Sequence, residues 1–250
     1  MKFGIIGFGN LGHALAAGLM KSSSAGAGDI YVCDNSEQAR DDSKGEPYFA
    51  LPSDDQNFVV ANADYIFLTI KSNVFEQIAP TIDKGLLKDK TIISFMAGVD
   101  FDKLHSFLGD CSIVRAMPSL AIAACEGVIG YTACSDDLAT VFHKLGYAFE
   151  TAPENIEKVM AFASCGLGFA AYLIDAFASA GIEMGFSTEV STQIATLTFK
   201  NAVDRGHFAE TVKAVATPGG ATEQGVLHLS GNGVPEMIKQ AVQKAYERMA

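Results

Sequence analysis

Two glycine-rich stretches have the residue types and the spacing to bind charged ligands. The first, residues 7–12, has the form G-x-G-x-x-G, with an apolar run before it and an Ala- and Leu-rich run after it. In a strand–turn–helix unit such glycines permit a tight turn, a close approach to a pyrophosphate, and packing of the helix on the strand. We therefore predict a dinucleotide site at the helix N-terminus, against the alternative of a turn that binds nothing. The predicted residues are Gly7, Phe8, Gly9, Asn10, Leu11 and Gly12.

The second stretch is Thr-Pro-Gly-Gly-Ala-Thr at positions 217–222. Two adjacent glycines after a proline expose consecutive N–H groups, and the next predicted helix begins near Thr222. A nest of N–H groups at a helix N-terminus suits a small carboxylate, and Thr217 and Thr222 add hydroxyls. The alternative is that Thr222 is only a helix N-cap and the remainder a tight turn.

Polar residues at the end of the second predicted strand bear on the choice of dinucleotide. Asp34 lies 22 positions after Gly12, where an acidic side chain accepts hydrogen bonds from an adenosine ribose and disfavours a 2′-phosphate. Asp34 therefore points to NAD, unless it is a simple turn residue. Asn35, Ser36 and Arg40 follow closely and could receive a phosphate, so the choice between NAD and NADP stays open.

Residues after two later strands are predicted to form the nicotinamide side of the site. Lys71 follows the apolar run 65–70, and Ala97-Gly98 ends the next predicted strand. Both lie at the edge where ligands bind to open α/β sheets, although Lys71 could equally be a solvated loop lysine. The predicted cofactor set also contains Asn57, Thr69 and Met96.

The elements that must position these residues change in character near Pro153. Before it, strand-like and helix-like runs alternate, which predicts a doubly wound, mainly parallel α/β sheet. After it the pattern is helical throughout. We therefore predict a dinucleotide-binding Rossmann domain over 1–152 and an all-helical domain for substrate binding and dimerisation over 153–250.

The helical half begins with a predicted stretch over 154–184 whose apolar residues cover most of its circumference. A helix that is apolar all round must be buried all round, and a domain of about 100 residues has a limited interior. We therefore expect a homo-oligomer with Phe169, Tyr172 and Leu173 near the interface.

The composition of the chain limits which classes of partner it can be expected to bind. The chain of 250 residues has 18 Lys and Arg against 29 Asp and Glu, a net charge of −11. This charge argues against a nucleic-acid partner. No apolar run is expected to reach the ~20 residues of a membrane span, so no membrane partner is predicted. The 5 cysteines form no C-x-x-C or zinc spacing, which indicates free thiols in a reducing cytoplasm and no metal.

Five segments match motifs of one known family over nearly the whole chain. They are 7–12 with the following Ala14-Leu15, Lys71-Ser72 where the family has Lys-Pro, Ala-Gly-Val at 97–99, Val-Arg-Ala-Met-Pro at 114–118, and Pro-Gly-Gly-Ala-Thr at 218–222. With these segments the chain resembles the pyrroline-5-carboxylate reductase family.

The resemblance implies reduction of the imine 1-pyrroline-5-carboxylate to L-proline, in proline biosynthesis, by NADPH or NADH, with a slight preference for NADPH. It implies a helical C-terminal domain that dimerises and often builds rings of dimers. The family's Pro-Gly-Gly-x-Thr loop holds the substrate carboxylate and its threonine faces the imine nitrogen, which assigns the catalytic role to Thr222. The substrate-binding residues carried over are Thr217, Gly219, Gly220, Ala221, Met117 and Pro118.

Two departures keep alternatives open. Ser119 stands where the family usually has Asn, and the segment 164–169 lacks the proline and tyrosine of a family Gly-Ser-Gly-Pro-Ala-Tyr stretch. A related two-domain dehydrogenase with another small carboxylated substrate, or a dinucleotide-binding paralogue without catalysis, would also fit these residues.

Overall fold

The computed structural model describes residues 1–36 and 55–249. In this part of the chain seven strands form one sheet in the order β2-β1-β3-β4-β5-β6-β7. The strands are β1 Phe3–Ile6, β2 Ile30–Cys33, β3 Tyr65–Leu68, β4 Thr91–Ser94, β5 Ser112–Pro118, β6 Gly127–Tyr131 and β7 Gly146–Glu150. All neighbouring pairs are parallel except β5 with β6. The connection from β5 to β6 holds only a short 3₁₀ turn, Leu120–Ala124, which is too short for the crossover that a parallel pair requires.

The register of the central strands places the ends of β1, β3 and β4 at one edge. Phe3 pairs with Ile30 on one side and with Tyr65 on the other, and Tyr65 pairs with Thr91. The predicted nucleotide-binding residues, except Asn57 in the helix Gln56–Asn62, follow β1, β2, β3 and β4 directly. Because these strands are parallel, their carboxyl ends meet at the same edge.

Helices cover both faces of this sheet. They are α1 Asn10–Lys21, α2 Gln56–Asn62, α3 Ser72–Ile78, α4 Phe101–Leu108, α5 Asp136–Lys144 and α6 Ile156–Val159. Side chains alternate along a strand, so Phe3 and Ile5 belong to one buried cluster and Ile6 to another on the opposite face. Strands buried on both faces are continuous apolar runs, which is why the sequence predicted them. The predicted doubly wound, mainly parallel sheet is confirmed.

The long helical stretch predicted over 154–184 is helical but not uniform. A single π-helical turn, Met160–Ser164, joins α6 to α7 Cys165–Glu183. By length and composition alone Pro153–Glu183 could cross a membrane, with a mean hydropathy of 1.6 and 11% of its most apolar window buried. The expectation that no run approaches the composition of a membrane span therefore does not hold for this stretch.

Backbone contacts divide the chain into two compact units, 1–164 with 246–250, and 165–245. The second unit consists of α7, α8 Thr188–Arg205, α9 Phe208–Val215, α10 Ala221–Gly231 and most of α11 Val234–Glu247. Its helices α7 and α8 pack closely: a Cβ on Gly181 would lie 2.9 Å from the Ser191 hydroxyl. The rings of Phe177 and Phe199 meet edge to face, with centroids 5.8 Å apart.

Candidate active site

The three glycines of the 7–12 turn have different surroundings. Gly7 has φ +99°, and a Cβ there would lie 2.4 Å from Ile70 Cγ2. A Cβ on Gly12 would lie 2.2 Å from the Gly7 carbonyl oxygen, whereas a Cβ on Gly9 would have no atom of the described chain within 4 Å. Gly7 and Gly12 are therefore required by the turn itself, while Gly9 borders open space. The open space at Gly9 is what a pyrophosphate requires at the close-approach position of such a turn.

Helix α1 begins next to that open space. Gly9 is its N-cap and makes no side-chain capping bond. Since the first N–H groups of a helix have no partner within it, the amides of Asn10 and Leu11 are available to an anion. Phe8 is buried and lies against His13, with ring centroids 3.9 Å apart. Phe8 thus contributes its backbone to the turn and its side chain to the core.

Asp34 joins the end of β2 to this turn. Its Oδ2 accepts from the Phe8 N–H at 2.6 Å, and its Oδ1 accepts from the Ser36 N–H at 2.8 Å. The carboxylate therefore lies beside the turn, where a ribose-binding acid is expected. Asn35 and Ser36 are exposed at the same edge, and Arg40 falls outside the described residues.

Residues after β3 support the turn from its other side. The Thr69 hydroxyl donates to the Gly7 carbonyl at 2.5 Å. Lys71 is exposed at the N-cap of α3. Asn57 uses its side chain within the protein, donating to the Thr81 carbonyl at 2.9 Å and accepting from the Asp83 N–H at 2.7 Å. Thr69 thus stabilises the turn 7–12, and cofactor roles for Thr69 and Asn57 stay predictions.

The segment after β4 reaches the surface at Gly98. Met96 is buried in the core, so only its backbone can border a ligand. Gly98 has φ +65°, in the left-handed region that favours glycine. Its N–H donates to Oε1 of Glu157, which also accepts a hydrogen bond from the guanidinium of Arg115. Sequence reasoning missed both charged residues: Arg115 stood inside a family motif without an assigned role, and nothing in the sequence pattern marked Glu157.

Met117 and Pro118 end β5 and are both buried. The Pro118 carbonyl accepts from the Ser164 hydroxyl at 2.9 Å. Ser119, at the family's Asn position, is buried and exchanges hydrogen bonds with Val128. Its N–H donates to the Val128 carbonyl, and its Oγ accepts from the Val128 N–H at 3.1 Å. Ser119 therefore fixes the β5–β6 connection.

The predicted substrate loop lies in the second unit, and its glycine amides have internal partners. The Gly219 N–H donates to Oε2 of Glu223 at 2.7 Å. The Gly220 N–H donates to the Thr217 carbonyl at 2.8 Å. A Cβ on Gly220 would lie 2.5 Å from the Thr217 hydroxyl, so the turn requires glycine there.

Thr222 is the second residue of α10, whose N-cap is Gly220. The alternative that Thr222 is the N-cap is therefore wrong. Its side chain is exposed, and its hydroxyl has no hydrogen-bond partner within the part of the chain that the structure describes. The hydroxyl is thus free to meet a ligand.

Cys111 and Cys134 are poorly suited to nucleophilic catalysis. Burial, with Glu150 and Asp136 nearby, raises the pKa of Cys134 to about 11. Burial and Asp110 raise the pKa of Cys111. Both thiols are therefore protonated at neutral pH and are poor nucleophiles. Within residues 1–36 and 55–249 no three His, Cys, Asp or Glu side chains are grouped to hold a metal.

Comparison with known proteins gives matches along the whole chain. Residues 153–250 match the family model for pyrroline-5-carboxylate reductase dimerisation, and residues 2–98 match that for NADP oxidoreductase, coenzyme F420-dependent. The pyrroline-5-carboxylate reductase of Aquifex aeolicus is 31% identical over 98% of this chain and 96% of its own length. That of Staphylococcus epidermidis is 25% identical over 99% and 96%.

Solved structures of other proteins share the fold of this chain. Plasmodium falciparum pyrroline carboxylate reductase with NADP bound has a TM-score of 0.89 and 23% identity, covering 100% of this chain and 97% of that one. The 1-pyrroline-5-carboxylate reductase of Streptococcus pyogenes has a TM-score of 0.85 and 21% identity, covering 100% and 98%. The two-part architecture described above is therefore shared along its full length.

Proposed function

Since the chain belongs to the pyrroline-5-carboxylate reductase family, we propose that it reduces 1-pyrroline-5-carboxylate to L-proline with NAD(P)H, a step of proline biosynthesis. The observation that carries this proposal is the open space over Gly9 at the start of α1, in a chain that also has the family's Pro-Gly-Gly-x-Thr loop. The first can hold a dinucleotide and the second a carboxylated imine.

The described residues would hold the dinucleotide at three places. The turn 7–12 and the first amides of α1 face its pyrophosphate, Asp34 its adenosine ribose, and Lys71 with residues 96–98 its nicotinamide side. When bound, NAD(P)H supplies the hydride that the imine carbon receives, while the nitrogen keeps or gains a proton. A positioned imine needs little more than this orientation.

The loop 217–222 would bind the substrate. Glu223 already receives the Gly219 N–H, so a substrate carboxylate must displace the Glu223 side chain or use the free amides at the start of α10. The Thr222 hydroxyl is then the donor or acceptor for the ring nitrogen. Gly219 and Gly220 keep the loop in the shape that presents these amides.

The direct test is oxidation of NADPH and NADH, side by side, with pyrroline-5-carboxylate. We expect substrate-dependent oxidation with at least one of the two. Piperidine-6-carboxylate and small 2-oxo and 2-hydroxy acids are the comparison substrates. A strong preference for one of these would favour the related dehydrogenase, and NAD(P)H binding without any turnover would favour the non-catalytic paralogue.

Asp34→Ala should improve the use of NADPH relative to NADH. It removes a negative charge that would repel a 2′-phosphate and a hydrogen bond that a ribose hydroxyl would use. A bond to a charged group contributes about 1.5–3 kcal/mol, so we expect the ratio of the Michaelis constants, NADH over NADPH, to rise about tenfold or more.

Asp34→Asn is the matched control, because it removes the charge and keeps an oxygen to accept from the Phe8 N–H. It should shift the ratio in the same direction with a smaller loss of thermal stability. A ratio that falls in both variants would overturn the assignment of Asp34 to the ribose.

The apolar surface of the second unit predicts a homodimer or a ring of dimers. Tyr172 is 74% exposed and Met184 79% exposed in a single chain, which lone soluble domains avoid over large patches. These residues lie in the segment that matches the dimerisation family. A second copy of the chain would cover these residues. We further propose that the enzyme works in the cytoplasm without membrane or nucleic-acid partners.

Light scattering at micromolar concentration should therefore give at least twice the mass of one chain. Tyr172→Glu, which places a charge on the proposed interface, should shift the protein toward the monomer. Phe58→Glu, an exposed aromatic of the first unit, should leave the mass unchanged. A monomeric wild-type protein would contradict the proposed assembly.

A further inference from the structure

A buried ion pair lies beside residues 96–98, here called the nicotinamide wall because they are predicted to face the nicotinamide. Arg115 Nη2 and Glu157 Oε1 are 2.5 Å apart, and the two side chains are only 4% and 15% exposed. Arg115 Nη1 also donates to the Pro153 carbonyl at 3.4 Å. Arg115 belongs to β5 and Glu157 to α6, so the pair joins the sheet to the helix that follows it.

The same carboxylate oxygen binds the backbone of the wall. Glu157 Oε1 accepts from the Gly98 N–H at 3.2 Å. Strand β4 ends at Ser94, so no sheet ladder fixes Gly98 in its left-handed conformation. Ala97 packs against the buried cluster of Met117, Ile156 and Val159. Helix α6 and its glutamate thus contact residues 97 and 98 directly.

Stability alone does not account for this pair. Taking two charges out of water costs much of what their attraction returns, and apolar replacements of buried pairs are often neutral or stabilising. The Arg115 Nε is buried without a hydrogen-bond partner among the described residues, a further cost. What the pair does supply is a fixed acceptor for one backbone N–H at the edge of the sheet.

We propose that Arg115 and Glu157 are positioning residues that hold Gly98, and with it the wall on which the nicotinamide rests. Arg115 orients the Glu157 carboxylate, and Glu157 holds the Gly98 amide. The part concerning the nicotinamide rests on the proposed function, which places residues 96–98 at that ring. Neither residue is required to touch substrate or cofactor.

The test compares two ligands on one variant, Glu157→Ala. NADPH and NADH carry the nicotinamide, whereas ADP carries only the adenosine and pyrophosphate that the turn 7–12 and Asp34 bind. We expect the dissociation constant of the preferred reduced dinucleotide to rise about tenfold while that of ADP stays within twofold. In the cofactor-free protein, hydrogen exchange at the Gly98 amide should accelerate.

Two further variants separate positioning from folding. The double variant Arg115→Met with Glu157→Met replaces the pair by apolar side chains, so it should fold stably yet keep the weakened dinucleotide binding. Glu76→Gln removes the exposed ion pair with Lys103, whose charged atoms are 2.5 Å apart. It should change the dissociation constant of neither NAD(P)H nor ADP. Glu157→Gln, which keeps an oxygen for Gly98, should recover part of the affinity.

Equal losses for ADP and NAD(P)H, or wild-type binding by the double variant, would overturn the proposal. These readouts need no imine. A wild-type protein that binds NAD(P)H but reduces no pyrroline-5-carboxylate would refute the proposed function and leave the comparison of ligands valid.

Discussion

Gly9→Val should abolish measurable NAD(P)H binding and leave the cofactor-free protein folded. A Cβ at this position meets no atom of the described chain within 4 Å, so the valine side chain extends into open space without a clash. That space is where the close-approach glycine admits a pyrophosphate. We expect the dissociation constant to rise at least about 100-fold, or roughly 2.8 kcal/mol at ~1.4 kcal/mol per decade.

The matched control is Gly12→Ala in the same turn. Its Cβ would lie 2.2 Å from the Gly7 carbonyl oxygen, so it should destabilise the protein before any ligand is added. Overpacking of this kind costs about 1–3 kcal/mol, visible as an earlier thermal transition. Fluorescence titration with NADPH and NADH, beside melting curves without ligand, distinguishes the two glycines. Unchanged affinity in Gly9→Val would remove the dinucleotide from this turn.

The parts of the fold that the sequence predicted are those determined by local pattern. Strand β3 is a continuous apolar run because helices cover both faces of the sheet, and that burial is visible in residue type alone. The turn 7–12 was predictable because the roles of Gly7, Gly9 and Gly12 depend on backbone geometry at fixed spacing. The family resemblance then supplied the chemistry of the loop 217–222.

What the sequence did not predict depends on contacts between distant residues. Glu157 reaches the Gly98 amide across 59 positions, and Asp34 reaches the Phe8 amide across 26. No sequence periodicity encodes such a pairing. The hydrogen bonds from the Gly98 amide to Glu157 and from the Phe8 amide to Asp34 could therefore not be predicted. The π-helical turn Met160–Ser164 was missed because its composition is that of an ordinary apolar helix.

The N-cap of α10 could not be assigned from the sequence because Gly220 and Thr222 are both accepted at that position. The structure gives the role to Gly220. This outcome sharpens what substitution of Thr222 should do, since the hydroxyl is no longer needed to cap the helix. Any loss on its removal must then come from contact with a ligand.

Thr222→Val should therefore slow the reaction and leave the melting temperature nearly unchanged. Valine keeps the branched shape of threonine and removes only the hydroxyl, which we propose faces the imine nitrogen. A hydrogen bond to a charged group is worth about 1.5–3 kcal/mol, or roughly 10- to 150-fold in rate at ~1.4 kcal/mol per decade. Because the nitrogen changes its bonding as the imine is reduced, we expect kcat and kcat/KM to fall together.

Thr222→Ser is the companion variant, since it keeps the hydroxyl and removes a methyl group. It should retain turnover within a few-fold of wild type, and both variants should bind NAD(P)H normally because the turn 7–12 is untouched. If Thr222→Val reduces pyrroline-5-carboxylate at the wild-type rate, the hydroxyl takes no part in the reaction. Any proton that the nitrogen gains would then come from another donor, and the loop would serve only to hold the substrate carboxylate through the amides at the start of α10.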